Sequence, residues 1–258
     1  MLKILENANQ FGRVHHGFLN DLGKLDALKT HANKYPEYVE IAEGDICWIE
    51  DGKEIIIAML HPYLFNRLPD RDAIKRGIKN NEIVTLEGLL EKQLDNLGLI
   101  LELKSGIGDV YKVFERMLAL LEDRAGGRYW IDTFSPRLLK IIKEISPGSP
   151  TSLHTRLGVY GERFIKTAFE IPPFNCYSLD RIPQADAVTV TYKNSPARYL
   201  KRFGASMDSI HKHVFRSGKK LIFGGIDSGE AFLLAKESKA IAAYLKFNKS
   251  FFGTSYGT

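Results

Sequence analysis

Short apolar runs of strand length alternate with stretches of helical periodicity along most of the chain, and this alternation constrains the fold more than any other feature. VHHG, YVEIAEGDICWIE, KEIIIAML, LGLILEL, RYWIDTF, SPTSLHT, FNCYSLD, ADAVTVTY and KKLIFGGI read as strands. Helical patterns near Leu22–Asn33, Leu86–Leu97, Val110–Glu122, Pro136–Glu144, Gly158–Phe169, Ser195–Ser217 and Glu230–Lys236 lie between or after them. Repeated strand–helix alternation makes a parallel sheet. Eight or so units favour a closed (β/α)8 barrel, α/β in class, over a doubly wound open sheet. Such a barrel takes about 250 residues, and the chain has 258. No low-complexity linker divides it, so residues 1–258 read as one domain, with a poorly anchored tail from about residue 248.

Several apolar runs finish in charged residues: His15 in GRVHHG, Glu43 and Asp45 in EGDICWIEDG, His61 in IIIAMLHP, Glu102 and Lys104 in GLILELKSG. Residues two apart on a strand share a face, so Glu43/Asp45 and Glu102/Lys104 each present two charges together. Charged strand ends suit a barrel whose site sits at its mouth. Glu43 and Asp45 alone could be solvated loop acids. Glu102, between Leu101 and Leu103, is harder to leave unpaired. Lys104 could be its partner ion, and a cation shared by Glu43, Asp45 and Glu102 accounts for all three acids. His15 and His61 could move protons. His154, ending PTSLHT, and Thr133 are second-rank candidates, whereas helix capping is the economical account of Ser135. His31, His211 and His213 sit in polar helical surroundings and carry no expectation.

The order of these pieces resembles the glycerophosphodiester phosphodiesterase family over most of the chain. Its His-Arg-Gly is similar to His15-His16-Gly17, and its Glu-x-Asp with a later Asp-Gly turn to Glu43-Gly44-Asp45 and Asp51-Gly52. Its second histidine matches His61, and its Pro-Thr-Leu-Glu resembles Val84-Thr85-Leu86-Glu87. Its Glu-Ile-Lys resembles Glu102-Leu103-Lys104, and its Ser-Phe-Asp-Pro strand end resembles Thr133-Phe134-Ser135-Pro136. Ala185-Asp186-Ala187-Val188 resembles its seventh strand. Two departures stand out. His16 occupies the place of the phosphate-gripping arginine, and Gly224 in LIFGGID, matched to the eighth strand, stands where the family carries an aromatic wall.

The resemblance implies metal-dependent hydrolysis of glycerophosphodiesters to an alcohol and glycerol phosphate. Mg2+ or Ca2+ would be held by Glu43, Asp45 and Glu102, with His15 and His61 as the acid–base pair. His16, Lys104 and Gly224 would line the phosphate and substrate site. Relatives that act on sugar phosphodiesters of the agrocinopine type make such a substrate the runner-up, given the space at Gly224. A catalytically idle phosphodiester-binding protein is the alternative from another class.

Composition agrees with an ordinary globular enzyme, at 44% hydrophobic and 26% charged residues. The net charge of +5 fits an anionic small molecule, and the scattered basic residues argue against nucleic acid. Cys47 and Cys176 make no disulfide framework. No apolar run reaches membrane-spanning or signal-peptide length, so the chain reads as soluble and cytoplasmic.

Overall fold

A computed structural model describes residues 11–34, 38–61, 70–92, 94, 96–156, 184–191, 214–215, 218–226, 229–237 and 239–245. The strand FNCYSLD, the helices over 158–169 and 195–213, Cys176 and the tail from 248 lie outside the described residues.

The strands are β1 (Gly12–His15), β2 (Val39–Asp51), β3 (Glu54–Met59), β4 (Val84–Thr85), β5 (Gly98–Ile107), β6 (Tyr129–Thr133), β7 (Thr151–Arg156), β8 (Ala187–Thr191), β9 (Lys220–Ile226) and β10 (Ala242–Leu245). Eight of them form a closed parallel barrel, ordered β1-β2-β5-β6-β7-β8-β9-β10 with β10 returning to β1. Gly12 pairs with Val39 on one side and with Ala242 on the other, which closes the ring. β3 pairs antiparallel with the outer length of β2, and β4 pairs antiparallel with β3, extending one side of the wall.

Helices α1 (Leu22–Lys34), α2 (Arg71–Lys79), α3 (Leu86–Leu90), α4 (Val110–Arg124), α5 (Pro136–Ile145) and α6 (Gly229–Glu237) connect the strands. Asp70, Thr85, Asp109 and Ser135 cap the starts of α2 to α5 by accepting from first-turn backbone N–H groups. α3 stops at Leu90 rather than running to Leu97. The chain then turns back towards α1, where the Asn96 side chain donates to Asn33 Oδ1 at 2.7 Å.

Alternation along each strand divides the apolar residues between two layers. Val14, Val39, Ile41, Ile100, Trp130, Ala187, Ile222, Ala242 and Tyr244 fill the barrel interior. Leu99, Leu101, Leu103 and Ile131 face outward onto α1, α4 and α5. This parity decides which side chains reach the mouth.

Two sequence expectations change here. The eighth barrel strand is Ala242–Leu245, a four-residue run too short to stand out in the sequence, and it carries an aromatic residue, Tyr244. LIFGGID forms the seventh barrel strand and the Ala185–Val188 segment leads into the sixth, so Gly224 does not stand in for the eighth-strand aromatic.

Gly44 permits a close approach. A Cβ there would lie 2.6 Å from Leu19 Cβ, in the turn after β1. That turn pins β2, because Asn20 Nδ2 donates to Asp45 O at 3.2 Å and Asn20 Oδ1 accepts from Asp45 N at 3.1 Å. Gly44→Ala should therefore lower the melting temperature by the equivalent of about 1–3 kcal/mol, the usual cost of overpacking. A calorimetric scan matching the wild type would show that the turn yields freely.

Candidate active site

Glu43 and Asp45 continue the inward parity of Val39 and Ile41 on β2, and Glu102 and Lys104 continue that of Ile100 on β5. Asp45 sits opposite Glu102 in the β2–β5 register. β1 ends at His15, level with Ala42, so Glu43 and Asp45 project beyond it at the carboxyl end of the barrel. The three carboxylates offer oxygens within 4.8 Å of one another and all are buried.

Lys104 Nζ lies between two of them, 2.9 Å from Asp45 Oδ1 and in a shorter contact with Glu102 Oε1. Burial favours a neutral lysine, but the charges of Glu102 and Asp45 win and raise the Lys104 pKa. Burial raises the Glu102 carboxyl to about 7, and His154 and Lys104 pull it back only in part. Glu43 Oε2 receives Gly17 N at 2.8 Å and His16 Nδ1 at 2.6 Å, while its buried Oε1 has no hydrogen-bond partner among the described residues. Three buried carboxylates beside Lys104 and the half-exposed His16, with a carboxylate oxygen left over, fit a hard divalent cation with oxygen ligands.

The histidines divide differently from the expectation. His15 faces the opposite side of β1 from Val14, pairs through Nε2 with Glu40 at 2.6 Å and packs against Phe18 beneath α1. His16 is the one that turns to the carboxylates. Its side chain is half exposed, and the hydrogen bond to Glu43 raises its pKa to about 9 against the opposing effect of burial. His61 closes the chain after β3, with Nε2 4.0 Å from Asp45 Oδ2, and burial lowers its pKa.

His154 also faces inward and is buried, with Nδ1 3.0 Å from Asp132 Oδ2 and 4.0 Å from Glu102 Oε2. Thr133 faces outward and spends its hydroxyl on Leu103 O at 3.2 Å. Gly224, on β9, is buried and pairs with Thr191. Asp132 and Tyr244 are polar inward-facing residues that the sequence reading passed over. Asp132 carried the same signal as Glu102, an acid flanked by residues of an apolar strand.

His15 belongs to a second buried cluster, with Glu40 at its centre. Arg13 and His15 hold Glu40, and His31 Nδ1 lies 3.3 Å away. Burial pushes the Glu40 carboxyl up, but His15 and Arg13 together outweigh it and leave the pKa below the ordinary value. A carboxylate depressed on folding contributes stability that is complete above its unfolded value of about 4.3 and is lost as pH falls through the folded value. The melting temperature should thus fall on acidification below about pH 4.3, and Glu40→Gln should flatten that limb while lowering stability at neutral pH. Parallel acid limbs in both proteins would mean that Glu40 is not the group responsible.

No family model and no curated protein matches the sequence. Solved structures do. A glycerophosphodiester phosphodiesterase from Parabacteroides distasonis superposes with a TM-score of 0.61 at 13% identity, covering 95% of this chain and 96% of that one. One from Agrobacterium tumefaciens gives 0.58 at 14% identity, covering 92% and 96%. An Oleispira antarctica phosphodiesterase in complex with the product sn-glycerol-3-phosphate gives 0.59 at 13% identity, covering 96% and 98%. The chain has the closed (β/α)8 barrel fold seen in solved glycerophosphodiester phosphodiesterases.

Proposed function

We propose that this protein is a metal-dependent phosphodiesterase that hydrolyses glycerophosphodiesters to an alcohol and glycerol phosphate. The observation that carries the reading is the convergence of buried Glu43, Asp45 and Glu102 with Lys104 at the carboxyl end of the barrel strands. The barrel likeness to phosphodiesterases, one of them holding glycerol-3-phosphate, supports the substrate class.

Glu43, Asp45 and Glu102 would hold Mg2+ or Ca2+, which supplies a Lewis acid for a phosphoryl oxygen. Lys104 adds a fixed positive charge on the Asp45–Glu102 side, where charge builds up in the transition state. His16 takes the phosphate-gripping place, with its ring held by Glu43. His61, beside Asp45, is the member of the expected proton-carrying pair that borders this cluster. The sugar-phosphodiester alternative rested on an open eighth strand, and Tyr244 fills that strand.

The test is a panel of phosphodiesters with different alcohols, read by phosphorus NMR in the presence of Mg2+ or Ca2+. Glycerophosphocholine and related small esters should release glycerol phosphate, and sugar phosphodiesters should react more slowly. Ion-dependent binding of these esters without turnover would instead identify an idle binding protein.

A further inference from the structure

The hairpin of β2 and β3 leaves a strand edge open outside the barrel. Its tight turn places Gly52 at φ 63° and sets Asp51 opposite Glu54. At the other end of the pair, Leu60 N donates to Asp45 O at 2.9 Å. Along an antiparallel ladder the residues that bond one neighbour alternate. Ala58, Ile56 and Glu54 therefore spend their backbone groups on β2, while Met59, Ile57 and Ile55 turn theirs to the opposite edge. β4 covers that edge only at Ala58 and Met59, because Thr85 then caps α3 and the chain leaves the sheet. The Ile55 N–H and C=O and the Ile57 N–H lie past the reach of β4.

We propose that this edge binds an extended acidic segment of a partner protein, which adds to β3 as a further strand. The edge runs along a groove of about 640 Å³. Ile56 and Ala58 pack in the layer of α2, and Ile55 and Ile57 in that of α3 and α4, so helices flank the edge on both sides. Ile78 lines the groove from α2 and Leu120 from α4. Its charge selects the partner. Lys53, Lys75, Lys79 and Arg116 line it against Glu54 and Glu87. Lys75 bridges Asp51 and Glu54, and Arg116 pairs with Glu87. Lys53 and Lys79, both exposed, meet no carboxylate among the described residues.

Strand addition draws affinity from main-chain hydrogen bonds and selectivity from alternate side chains. Here Ile55 O accepts from the incoming strand, and the Ile55 and Ile57 N–H groups donate to its carbonyls. Carboxylates at alternate positions then meet the unpaired lysines. A second copy of β3 fits less well, since its pairing here would set two positive rims face to face. A nucleic acid would meet the lysines but offers no alternating N–H and C=O for the ladder. None of these residues belongs to the carboxylate cluster, so the docking edge is testable whether or not the phosphodiesterase reading holds.

The probe is a fluorescent peptide of about eight residues, ordinary strand length, alternating glutamate and threonine. Titrated against the full chain and read by anisotropy, it should saturate at least about tenfold more tightly than its lysine–threonine counterpart. Lys53→Glu combined with Lys79→Glu should weaken it by about tenfold or more, with the melting temperature unchanged. Amide exchange in isoleucine-labelled protein locates the contact. Saturating peptide should slow Ile55 and Ile57 by at least about tenfold and leave Ile56, already bonded to β2, much less affected. No saturation up to about 1 mM peptide overturns the proposal and leaves the lysines as guards of an open edge. Equal affinity for the two peptides, full affinity in the double variant, or protection that spares Ile55 and Ile57 overturns it too. A dimer in sedimentation with those amides protected gives the edge to a second copy. Tighter binding of an oligothymidylate, lost in the double variant, gives it to nucleic acid. Either result overturns the proposal.

Discussion

Alanine at Glu43, Asp45 or Glu102 should abolish measurable Mg2+ or Ca2+ binding and lower phosphodiester turnover by at least about 10²-fold. The three side chains differ in what else they hold. Glu43 anchors His16 and the turn at Gly17, Asp45 meets Lys104, and Glu102 meets Lys104 from the neighbouring strand. Removing any one leaves two buried acids beside Lys104 and His16, a charge balance that no longer favours a divalent cation. Glu102→Gln is the milder probe, because it keeps the shape and removes one ligand charge. Titration calorimetry with the ion alone reads binding apart from activity. Glu144→Gln, which alters an exposed pair with Lys140, is the control and should bind the ion as the wild type does. Unchanged affinity in all three alanine variants would mean that the cluster is an ion-pair network around Lys104.

Trp130→Ala should cost about 3–5 kcal/mol, the range for truncating a large buried aromatic. Trp130 is 1% exposed and packs in the barrel interior with Ile41, Ile100 and Tyr244. The neighbouring strands are fixed by ladder pairing on both sides, so the cavity has little room to collapse. For a protein of this size that cost corresponds to a drop of roughly 10 °C in melting temperature. Trp130→Phe should be much milder, under about 1.5 kcal/mol, because it keeps most of the packed area. It also removes a buried indole N–H that has no partner among the described residues. Equal losses in the two variants would mean that the hydrogen-bonding group, and not the volume, is what the interior needs.

The barrel was legible in the sequence because its strands are apolar runs separated by amphipathic helices. The carboxylate cluster was legible for a related reason: Glu43, Asp45, Glu102 and Lys104 keep the parity of the inward apolar residues before them. The adjacent pair His15-His16 was not resolved, since either residue can close the strand. Which one faces inward depends on Val14 and on the partner Glu40, a residue far along the chain. Asp132 carried the same signal as Glu102, but its partners did not show, because Ser152, His154 and Tyr244 come from two other strands. Tyr244 lies in a strand of four residues, too short for periodicity to register, and its omission moved the eighth-strand match onto Gly224.

The central claim is that the cation held by the three carboxylates drives phosphodiester hydrolysis, and phosphorus NMR of one reaction tests it most directly. Wild-type protein with glycerophosphocholine and Mg2+ or Ca2+ should build up glycerol phosphate, stop when a chelator is added and resume when the ion is restored. Product formation that continues at the same rate through chelation would contradict the account.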